Sequence, residues 1–353
     1  MDHVQLIHRA REAIKRAVSS LIGPGTDYAL LDFPDYTNVG DSAIWLGTIA
    51  ILMEVTGRLP RYVSTASDFD AFAFRASLPE GPIFLLGGGN FGDIYVSHQD
   101  LRIKILREFR DRRIIQLPQS VMFRDERNAR QTAEAIAGHQ DFHMFVREHA
   151  SLRFVQQNFN CPVTLVPDAA FGLGPLERPR APEYPVMLLL REDAERVGYD
   201  YSPFEAFGAV PWVDWIREYR GFHSLHRLKA SFVCLLRGRC TSLDRRVALF
   251  NLMANTRLKR GLSLLAQGDR VITDRLHGHI MCTLMNIEHV AMDNDYGKIH
   301  GYIDAWTSPY DGVVMADNPQ QAVSMLGSLK DRAAQIGKPR RATLRRTKTS
   351  LQP

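Results

Sequence analysis

Residues 82–117, PIFLLGGGNFGDIYVSHQDLRIKILREFRDRRIIQL, decide the fold class of this chain. The segment opens with a short apolar run that ends in glycines, continues with helical spacing at 101–110, and closes with a second apolar run at 114–117. Short apolar runs that alternate with helices are typical of βαβ units, whose strands are parallel. The segment therefore predicts an α/β protein with a mainly parallel sheet.

The same alternation continues on both sides of this segment. On its N-terminal side, a predicted strand at 28–33 precedes a predicted helix at 42–56. On its C-terminal side we expect a helix at 124–137, strands at 142–147, 163–166, 187–190, 270–273 and 288–292, and a helix from residue 278. Because helices separate the strands, the parallel arrangement should extend along most of the chain.

A proline-rich stretch interrupts this alternation. Residues 172–185, GLGPLERPRAPEYP, contain four prolines and two glycines, which break regular structure. A chain of 353 residues is also too long for one ordinary core. We predict two Rossmann-like domains that face each other across a cleft, at 1–178 and 179–330, and a basic tail at 331–353. Sheets of this kind bind ligands beyond the carboxyl ends of their strands.

The net charge of +5 is concentrated near the C-terminal end of the sequence. Residues 330–348 hold eight basic side chains and one acidic side chain, which leaves about −2 for the rest of the chain. A near-neutral body argues against a protein that binds nucleic acid. The sequence shows neither an apolar run of the ~20 residues that cross a bilayer nor a signal peptide at 1–23. We therefore expect a cytoplasmic protein whose four cysteines are free thiols.

Three segments are candidates for a membrane contact. The amphipathic helix at 4–21, the basic and apolar insert at 223–240 and the basic tail at 330–348 would suit the inner face of an anionic membrane. In the alternative interpretation, the helix and the insert pack on the body of the protein and the tail is solvated. Both interpretations fit the sequence.

Two glycine-containing motifs follow predicted strands. The sequence NVGD at 38–41 fits either a helix cap or a ligand contact. The sequence GGGNFGD at 87–93 matches the dinucleotide pattern G-x-G-x-x-G, but the next strand does not end in the acidic residue that would hold a ribose. We therefore expect no nicotinamide cofactor, and interpret the glycines as exposing backbone N–H groups to a ligand.

Two further motifs carry cations at predicted strand ends. Arg147 ends a predicted strand, and its planar guanidinium suits a carboxylate or a phosphate, although a surface salt bridge is the alternative. The sequence TDRLHGH at 273–279 brings one arginine and two histidines to the start of a helix. A histidine titrates near pH ~6.5 and can exchange protons at neutral pH. This combination predicts an anion site with a proton donor.

In their order and spacing, these motifs resemble the polysaccharide pyruvyl transferase family, especially its bacterial exopolysaccharide pyruvyl transferases. The resemblance covers roughly residues 28–310, and the matching segments are NVGD at 38–41, FLLGGGNFGD at 84–93, LPQS at 117–120, VREHAS at 146–151, VPD at 166–168, TDRLHG at 273–278 and YGKIHGY at 296–302. It implies a GT-B-like pair of Rossmann domains and phosphoenolpyruvate as the donor. The acceptor that it implies is a sugar of a lipid-linked exopolysaccharide repeat unit, which receives a pyruvate ketal.

The resemblance also implies roles for individual residues. The family's motif arginines fall on Arg147 and Arg275, which would clamp the donor from opposite domains, and its motif histidine falls on His277, our candidate acid. Either Lys298 or the helix N-terminus near Gly278 would hold the phosphate. The remaining candidates for the cleft or the acceptor side are Asn38, Asp41, Gly88, Gly89, Asn90, Asp93 and His279. We expect no metal and no cofactor, since phosphoenolpyruvate is a co-substrate.

Two rival interpretations come from other classes of protein. A glycosyltransferase with a nucleotide-sugar donor could share this architecture, because a fold does not fix a function. A non-catalytic scaffold of a polysaccharide assembly complex would explain the basic tail and the N-terminal helix, but it would not require Arg147, Arg275 and His277. The R-L-H sequence favours the pyruvyl transferase over both.

Overall fold

The computed structural model describes residues 1–193, 196–216, 232, 241–293 and 297–326. The basic tail at 331–353 and all of the insert at 223–240 except Phe232 lie outside the described residues. The membrane contacts predicted for these two segments therefore stay predictions from the sequence.

The N-terminal half of the chain forms one sheet, whose described strands are all parallel. In chain order they are β1 (Ala29–Leu31), β2 (Tyr62–Ser64), β3 (Ile83–Leu85), β4 (Gly88–Gly92), β5 (Ile114–Met122), β6 (Phe142–Val146) and β7 (Val163–Leu165). The strand order is β2-β1-β3-β5-β6-β7, and β4 pairs with the second half of β5. Successive residues of β3 enter different apolar cores, Phe84 on one face and Ile83 and Leu85 on the other. Both faces are therefore buried, as expected of a parallel sheet.

Helices connect these strands. They are α1 (His3–Ser19), α2 (Val39–Thr56), α3 (Ala71–Ser77), α4 (Val96–Glu108), α5 (Glu126–Ala137) and α6 (His149–Asn158), with a short 3₁₀ turn at Ala169–Leu173. Side-chain caps mark the N-termini of several helices. Asn38 accepts a hydrogen bond from the Gly40 N–H at the start of α2, and Asp125 accepts one from the Arg127 N–H at the start of α5. Such caps satisfy backbone donors that have no partner within the helix.

The C-terminal half forms a second parallel sheet. Its described strands are β8 (Tyr184–Leu189), β9 (Trp212–Val213), β10 (Gly268–Thr273), β11 (His289–Met292) and β12 (Val313–Ala316), in the order β12-β11-β10-β8-β9. Its helices are α7 (Ser242–Leu265), α8 (Leu276–Leu284) and α9 (Lys298–Tyr302), with a 3₁₀ turn at Ser202–Phe207 and one π-helical turn at Ile303–Thr307.

The two sheets share one topological feature. In each sheet, the strand that comes first in the chain lies between the next two strands of the chain. Thus β1 lies between β2 and β3, and β8 lies between β9 and β10. The strand order reverses at this position, and such switch points are where open α/β sheets bind ligands. The chain is thus mixed α/β with parallel sheets, consistent with a Rossmann-like or GT-B-like fold.

Helix α2 lies at the centre of the molecule. It packs against α1, α7, α8 and the 3₁₀ turn at Ala169–Leu173. Gly47 faces the backbone of Ala169, and a side chain at Gly47 would collide with that carbonyl. Within the described ranges, α2 is the one helix whose length and composition would suit a membrane span, but most of it is buried inside the protein. It is therefore accounted for as a core helix.

Helix α1 docks on the body of the protein. Its apolar face, formed by Leu6, Ile7, Ala10, Ile14 and Val18, is buried. This burial agrees with the docking interpretation of the N-terminal helix. The same residues are not available for a membrane surface.

The sequence prediction differs from the structure at four strands. Residues 88–92 were not predicted as a strand, but they form β4, because β5 extends to Met122 and offers an unpaired edge to Gly88, Phe91 and Gly92. The short strands β2, β9 and β12 were not predicted either. Glycines are depleted in strands, and a strand of two to four residues gives little periodicity to detect.

Candidate active site

A pocket of about 390 Å³ opens beyond the carboxyl ends of strands from both sheets. Its walls come from β4 and the segments that follow β1, β4 and β6 of the first sheet, and from the segments that follow β8, β9, β10 and β11 of the second. The lining residues are Tyr36, Asn38, Asp41, Gly89, Asn90, Tyr95, His98, Arg147, Arg191, Asp193, Trp215, Ile216, Arg275, Leu276, His277, Lys298 and Ile299. The pocket thus lies where ligands bind in parallel α/β sheets.

Arg147 follows directly after β6 and is buried. Its Nε donates a hydrogen bond to Ser120 Oγ (2.9 Å), and its Nη1 lies 2.5 Å from Asp168 Oδ2. Trp306 Nε1 donates to the Arg147 carbonyl oxygen (2.9 Å). These contacts fix the guanidinium plane and leave Nη2 directed at the pocket wall formed by Gly89.

Gly89 brings two cations together. A methyl group built on Gly89 would lie 3.2 Å from Arg147 Nη2 and 4.0 Å from Lys298 Nζ. The guanidinium and the ammonium group therefore border the same small surface of the pocket. A side chain at residue 89 would occupy the space next to both, so a glycine keeps this cationic end of the pocket open to a ligand.

Asp168 joins Arg147 to the predicted acid. Besides Arg147, its Oδ2 lies 3.4 Å from His277 Nε2, and its Oδ1 accepts the Ala170 N–H (2.9 Å). The Asp168 N–H donates to Tyr302 Oη (3.1 Å). Burial of this carboxylate would raise its pKa, but His277 and Arg147 outweigh burial and lower the pKa of Asp168 below its usual value. The carboxylate is therefore a fixed negative charge between the Arg147 guanidinium and the His277 ring.

His277 occupies the first turn of α8 and packs edge-on against the start of α2. A side chain at Gly40 would collide with the His277 ring around Nδ1. The glycine of the NVGD motif thus makes room for the imidazole. His277 Nε2 is buried and forms no hydrogen bond with the described residues, so Asp168 Oδ2 is a charged neighbour at longer range.

Glu148 supports the same end of the pocket. Its carboxylate is buried, accepts a hydrogen bond from Ser120 Oγ (2.9 Å) and from Ser151 Oγ, and lies 3.7 Å from Arg147 Nε. Burial raises the pKa of Glu148, although Arg147 opposes this shift. Ser151 Oγ in turn accepts the Val121 N–H (2.8 Å). The VREHAS motif therefore builds the hydrogen-bonded support that holds Arg147.

Arg275 lines the pocket, and its guanidinium is paired with two carboxylates. Its Nη2 lies 2.8 Å from Asp193 Oδ2 and 2.6 Å from Asp214 Oδ2. Its Nε is buried and has no hydrogen-bond partner among the described residues. Asp193 and Asp214 follow β8 and β9, so Arg275 ties the start of α8 to both loops. Unlike Arg147, it meets two negative charges on one nitrogen.

The predicted residues Asn38, Asp41 and Asn90 also line the pocket. Asn38 caps α2 and donates from Nδ2 to Asp41 Oδ2 (2.8 Å). Asn90 Oδ1 accepts from Arg102 Nη2 (2.6 Å) and from Gln119 Nε2 (2.7 Å). These side chains are held rigidly, and they present amide and carboxylate groups to the pocket.

A histidine that the sequence analysis did not single out also lines the pocket. His98 Nδ1 lies 2.6 Å from Asp32 Oδ1, and the His98 ring lies between the rings of Tyr36 and Tyr95, with centroids 6.0 and 6.4 Å away. Asp32 is buried and adopts a left-handed backbone conformation with φ 74°. This end of the pocket is therefore aromatic, in contrast to the cationic end at Gly89.

Four predicted site residues are absent from the pocket wall. His279 is buried on the other side of α8, with Nδ1 2.7 Å from His289 Nε2 and Nε2 2.9 Å from Thr307 Oγ1. Burial lowers its pKa, so the ring is neutral. Residues two apart on a helix point in nearly opposite directions, so His277 and His279 could not both face the pocket.

The other three predicted site residues, Asp93, Gly278 and Gly88, have structural roles. The Asp93 carboxylate accepts the N–H groups of Arg124 and Asp125 and so holds the turn before α5. Gly278 packs against Thr273, where a side chain would collide with Oγ1. Gly88 has φ 133°, and a methyl group built there would lie 3.3 Å from Asp41 Oδ1. None of the three lines the pocket.

The carboxylates that pair with the cations were missed as site residues. Asp168, Asp193 and Asp214 each follow a strand of the structure within a few residues, as the predicted arginines do. That placement was the available signal, and Asp168 already lay in the VPD segment. Asp193 follows the strand predicted at 187–190 but was not singled out, and the two-residue strand β9 before Asp214 was not predicted.

Among the described residues, no cluster of three or more His, Cys, Asp or Glu side chains has the arrangement of a metal site. The site therefore consists of a cationic end with Arg147 and Lys298 beside His277, an aromatic end with Tyr36 and Tyr95, and the three aspartates that hold its arginines, Asp168, Asp193 and Asp214.

Comparison with known proteins identifies a family. The family model for polysaccharide pyruvyl transferase matches residues 38–296. Pyruvyl transferase 1 of Schizosaccharomyces pombe is 30% identical over 84% of this chain and 75% of its own length. The putative pyruvyl transferase EpsO of Bacillus subtilis is 28% identical over 83% of this chain and 90% of its own.

A solved structure shares the fold. The crystal structure of an uncharacterised protein of Klebsiella pneumoniae superposes with a TM-score of 0.56 at 16% identity, over 90% of this chain and 99% of the other. At that identity the likeness concerns the fold alone. The family match covers most of the sequence and includes Arg147, Arg275 and His277. The chain therefore belongs to the polysaccharide pyruvyl transferase family.

Proposed function

We propose that the protein transfers pyruvate from phosphoenolpyruvate to a sugar of an exopolysaccharide repeat unit and closes a pyruvate ketal. The observation that carries this proposal is the convergence of Arg147 Nη2 and Lys298 Nζ at Gly89, in the same pocket as His277. A small donor with two anionic groups matches two cations and an adjacent proton donor. The comparisons favour this activity over a nucleotide-sugar glycosyltransferase.

The donor would bind at the cationic end. The planar fork of Arg147 suits the carboxylate of phosphoenolpyruvate, and the mobile ammonium of Lys298 suits its phosphate. Arg275, which follows a strand of the second sheet, would also bind the donor. It would do so through the guanidinium nitrogens that do not contact Asp193 and Asp214. Charge-assisted hydrogen bonds of this kind gain strength in a pocket that largely excludes water.

The reaction would proceed by addition and elimination. His277 gives a proton to the methylene carbon of the donor, and a sugar hydroxyl adds to the neighbouring carbon and loses its proton. The carbon–oxygen bond to phosphate then breaks, and a second hydroxyl of the same sugar adds at this carbon to close the ketal. One of the two hydroxyl protons makes up for the proton that His277 gave to the methylene carbon, and the other leaves with the phosphate. Each step uses general acid–base chemistry.

The acceptor sugar would enter from the aromatic end. The rings of Tyr36 and Tyr95 offer an uncharged surface, and Asn38, Asp41 and Asn90 offer acceptors and donors for hydroxyl groups. Sugars bind well where apolar surface is combined with a few fixed polar groups. The acceptor and the donor would then meet between the two ends of the pocket.

In this proposal the two sheets are the cores of two Rossmann-like domains, at 1–178 and 179–330, that face each other across the pocket. The enzyme would act in the cytoplasm and reach lipid-linked oligosaccharide at the inner membrane face through its basic tail. Each basic residue near an anionic surface adds up to ~1 kcal/mol. Flotation with anionic liposomes, with and without residues 338–353, tests the contact. Full-length protein that stays soluble at low salt would contradict it.

The function is tested with lipid-linked oligosaccharide from cells that lack the ketal. The purified protein, phosphoenolpyruvate and this acceptor should yield inorganic phosphate and an oligosaccharide that is heavier by one pyruvate less one water. Nucleotide sugars should support no reaction. Release of a nucleoside diphosphate, or no consumption of phosphoenolpyruvate with any pyruvylatable acceptor, would contradict the proposal.

A further inference from the structure

We propose that Asp168 is a positioning residue that serves as the shared counter-ion of Arg147 and His277. The inference rests on the proposed function, because it assigns a task to a carboxylate next to the donor-binding arginine and the acid. One oxygen, Oδ2, lies 2.5 Å from Arg147 Nη1 and 3.4 Å from His277 Nε2. Asp168 would fix the tautomer and the orientation of the imidazole without touching the donor.

The carboxylate cannot move away from this position. It is fully buried, its Oδ1 accepts the Ala170 N–H, and its own N–H donates to Tyr302 Oη. The 3₁₀ turn that follows packs against the central helix α2, which also supports the His277 ring through Gly40. The carboxylate and the ring that it faces are thus fixed by the same core.

The longer of the two contacts has a chemical consequence. At 3.4 Å, the Asp168 carboxylate attracts a proton on His277 Nε2 by charge but does not hold it in a short hydrogen bond. Nε2 is also shielded from solvent. The carboxylate therefore orients the imidazole through this nitrogen. Arg147 stays paired through Nη1, while its Nη2 at Gly89 is directed at the donor.

This arrangement predicts opposite effects on chemistry and on binding. In Asp168→Asn, His277 loses the charge that orients it, so kcat should fall by about 10²-fold or more. Arg147 and Lys298 keep their charges and lose a competing anion, so the Kd of phosphoenolpyruvate should stay the same or decrease. A residue with a merely structural role would weaken both. Parallel loss of kcat and donor affinity would overturn the proposal.

The chain contains a matched control. Asp141 also lies between an arginine and a histidine, Arg113 and His143, but at the opposite end of β6 and partly exposed. Asp141→Asn removes the same charge from the same kind of cluster and should leave kcat and donor affinity unchanged. A drop in kcat as large as that in Asp168→Asn would show that the effect is not specific to the pocket, and would count against the proposal.

A measurement on the unmodified enzyme keeps the inference testable if Asp168→Asn does not fold. In protein labelled with ¹⁵N-histidine, the His277 signal is assigned by its loss in His277→Gln. Its Nε2 should show the chemical shift of a protonated nitrogen at neutral pH. A lone-pair shift at Nε2 would overturn the contact with Asp168. This readout does not depend on turnover, so it remains decisive even if the wild type fails to use phosphoenolpyruvate and the proposed function falls.

Discussion

Two Arg–Asp–His clusters lie at opposite ends of strand β6. They contain the same residue types and differ mainly in the burial of their side chains. At the N-terminal end, Asp141 lies 3.0 Å from Arg113 Nε and 2.9 Å from His143 Nε2. The side chains of Asp141 and Arg113 are 39% and 41% exposed. Surface ion pairs of this kind contribute about 0–1 kcal/mol, because water screens them.

The second cluster lies beyond the carboxyl end of the same strand. Here the side chains of Asp168 and Arg147 are 0% and 3% exposed, and His277 completes the group from the other sheet. Its arginine contact is shorter than that at the surface, 2.5 Å against 3.0 Å, and its histidine contact is longer, 3.4 Å against 2.9 Å. The comparison shows that residue types alone do not define a site. In our proposal, burial at the carboxyl ends of parallel strands lets the same three residue types bind an anion and transfer a proton.

The largest difference between the clusters should be seen when each loses its histidine. His277→Ala should lower the rate of ketal formation by about 10²–10⁴-fold, the usual contribution of a general acid. His143→Ala should leave it unchanged. Initial rates of phosphate release at saturating substrate measure both. Near-full turnover in His277→Ala would remove this residue from the mechanism.

Removal of the aspartate charge should lower the free energy of unfolding more in the buried cluster than in the exposed one. Asp168→Asn should lower the free energy of unfolding by about 3–5 kcal/mol, because it leaves Arg147 buried without its main partner. Asp141→Asn should lower it by about 0–1 kcal/mol. Urea denaturation at pH 7 measures both values. Equal losses would mean that burial is not the difference that matters.

The loss at Asp168 should also depend on pH. Folding lowers the pKa of Asp168, so its charge stabilises the fold above the unfolded-state value of about 4 and less as the pH falls below it. The gap in unfolding free energy between the wild type and Asp168→Asn should therefore be full at pH 7 and smaller at pH 3. A difference in unfolding free energy that grows as the pH falls would contradict this explanation.

The arginines should differ in donor binding. Arg147→Ala should weaken the binding of phosphoenolpyruvate by roughly 2–4 kcal/mol, the cost of removing one partner from a buried charged contact. Arg113→Ala should have no effect. Calorimetric titration gives both, and the same titration of Arg275→Ala tests the second arginine of the pocket. Unchanged affinity in Arg147→Ala and Arg275→Ala would place the donor elsewhere.

The smallest expected effect concerns the glycine that packs against His277. Gly40→Ala should push the imidazole out of place and lower kcat by about tenfold, with little change in donor affinity. Gly23→Ala, at a position where a methyl group meets no other atom within 4 Å, is the control. Wild-type kcat in Gly40→Ala would show that the ring position is not critical.

Much of this site could be predicted from the sequence. Arg147 follows an apolar run, and His277 and Lys298 follow others; the parallel strands of one sheet place such positions at one edge. That the edges of the two sheets meet in one pocket is seen only in the structure. The helices α2 and α5 were also predicted nearly in full, because their apolar spacing or caps were clear, whereas the helix predicted at 101–110 missed the first five residues of α4.

The rest depended on tertiary structure. In the sequence, Asp168 and Asp141 are single aspartates beside short strands, and only the packing of α2 and α8 buries the first of them. His279 was placed in the cleft with His277, although the phase of α8 separates them. The strand at Gly88–Gly92 was not predicted, because its pairing with β5 depends on how far that strand extends. Burial and pairing partners are properties of the folded chain.

The most direct test of the account is a crystal structure of the enzyme with phosphoenolpyruvate bound in the absence of acceptor. The account predicts the donor at Gly89, with its anionic groups on Arg147 Nη2 and Lys298 Nζ, its methylene carbon near His277, and Asp168 still paired with Arg147 Nη1. A donor bound at the aromatic end beside Tyr36 and Tyr95, away from Gly89, would contradict it.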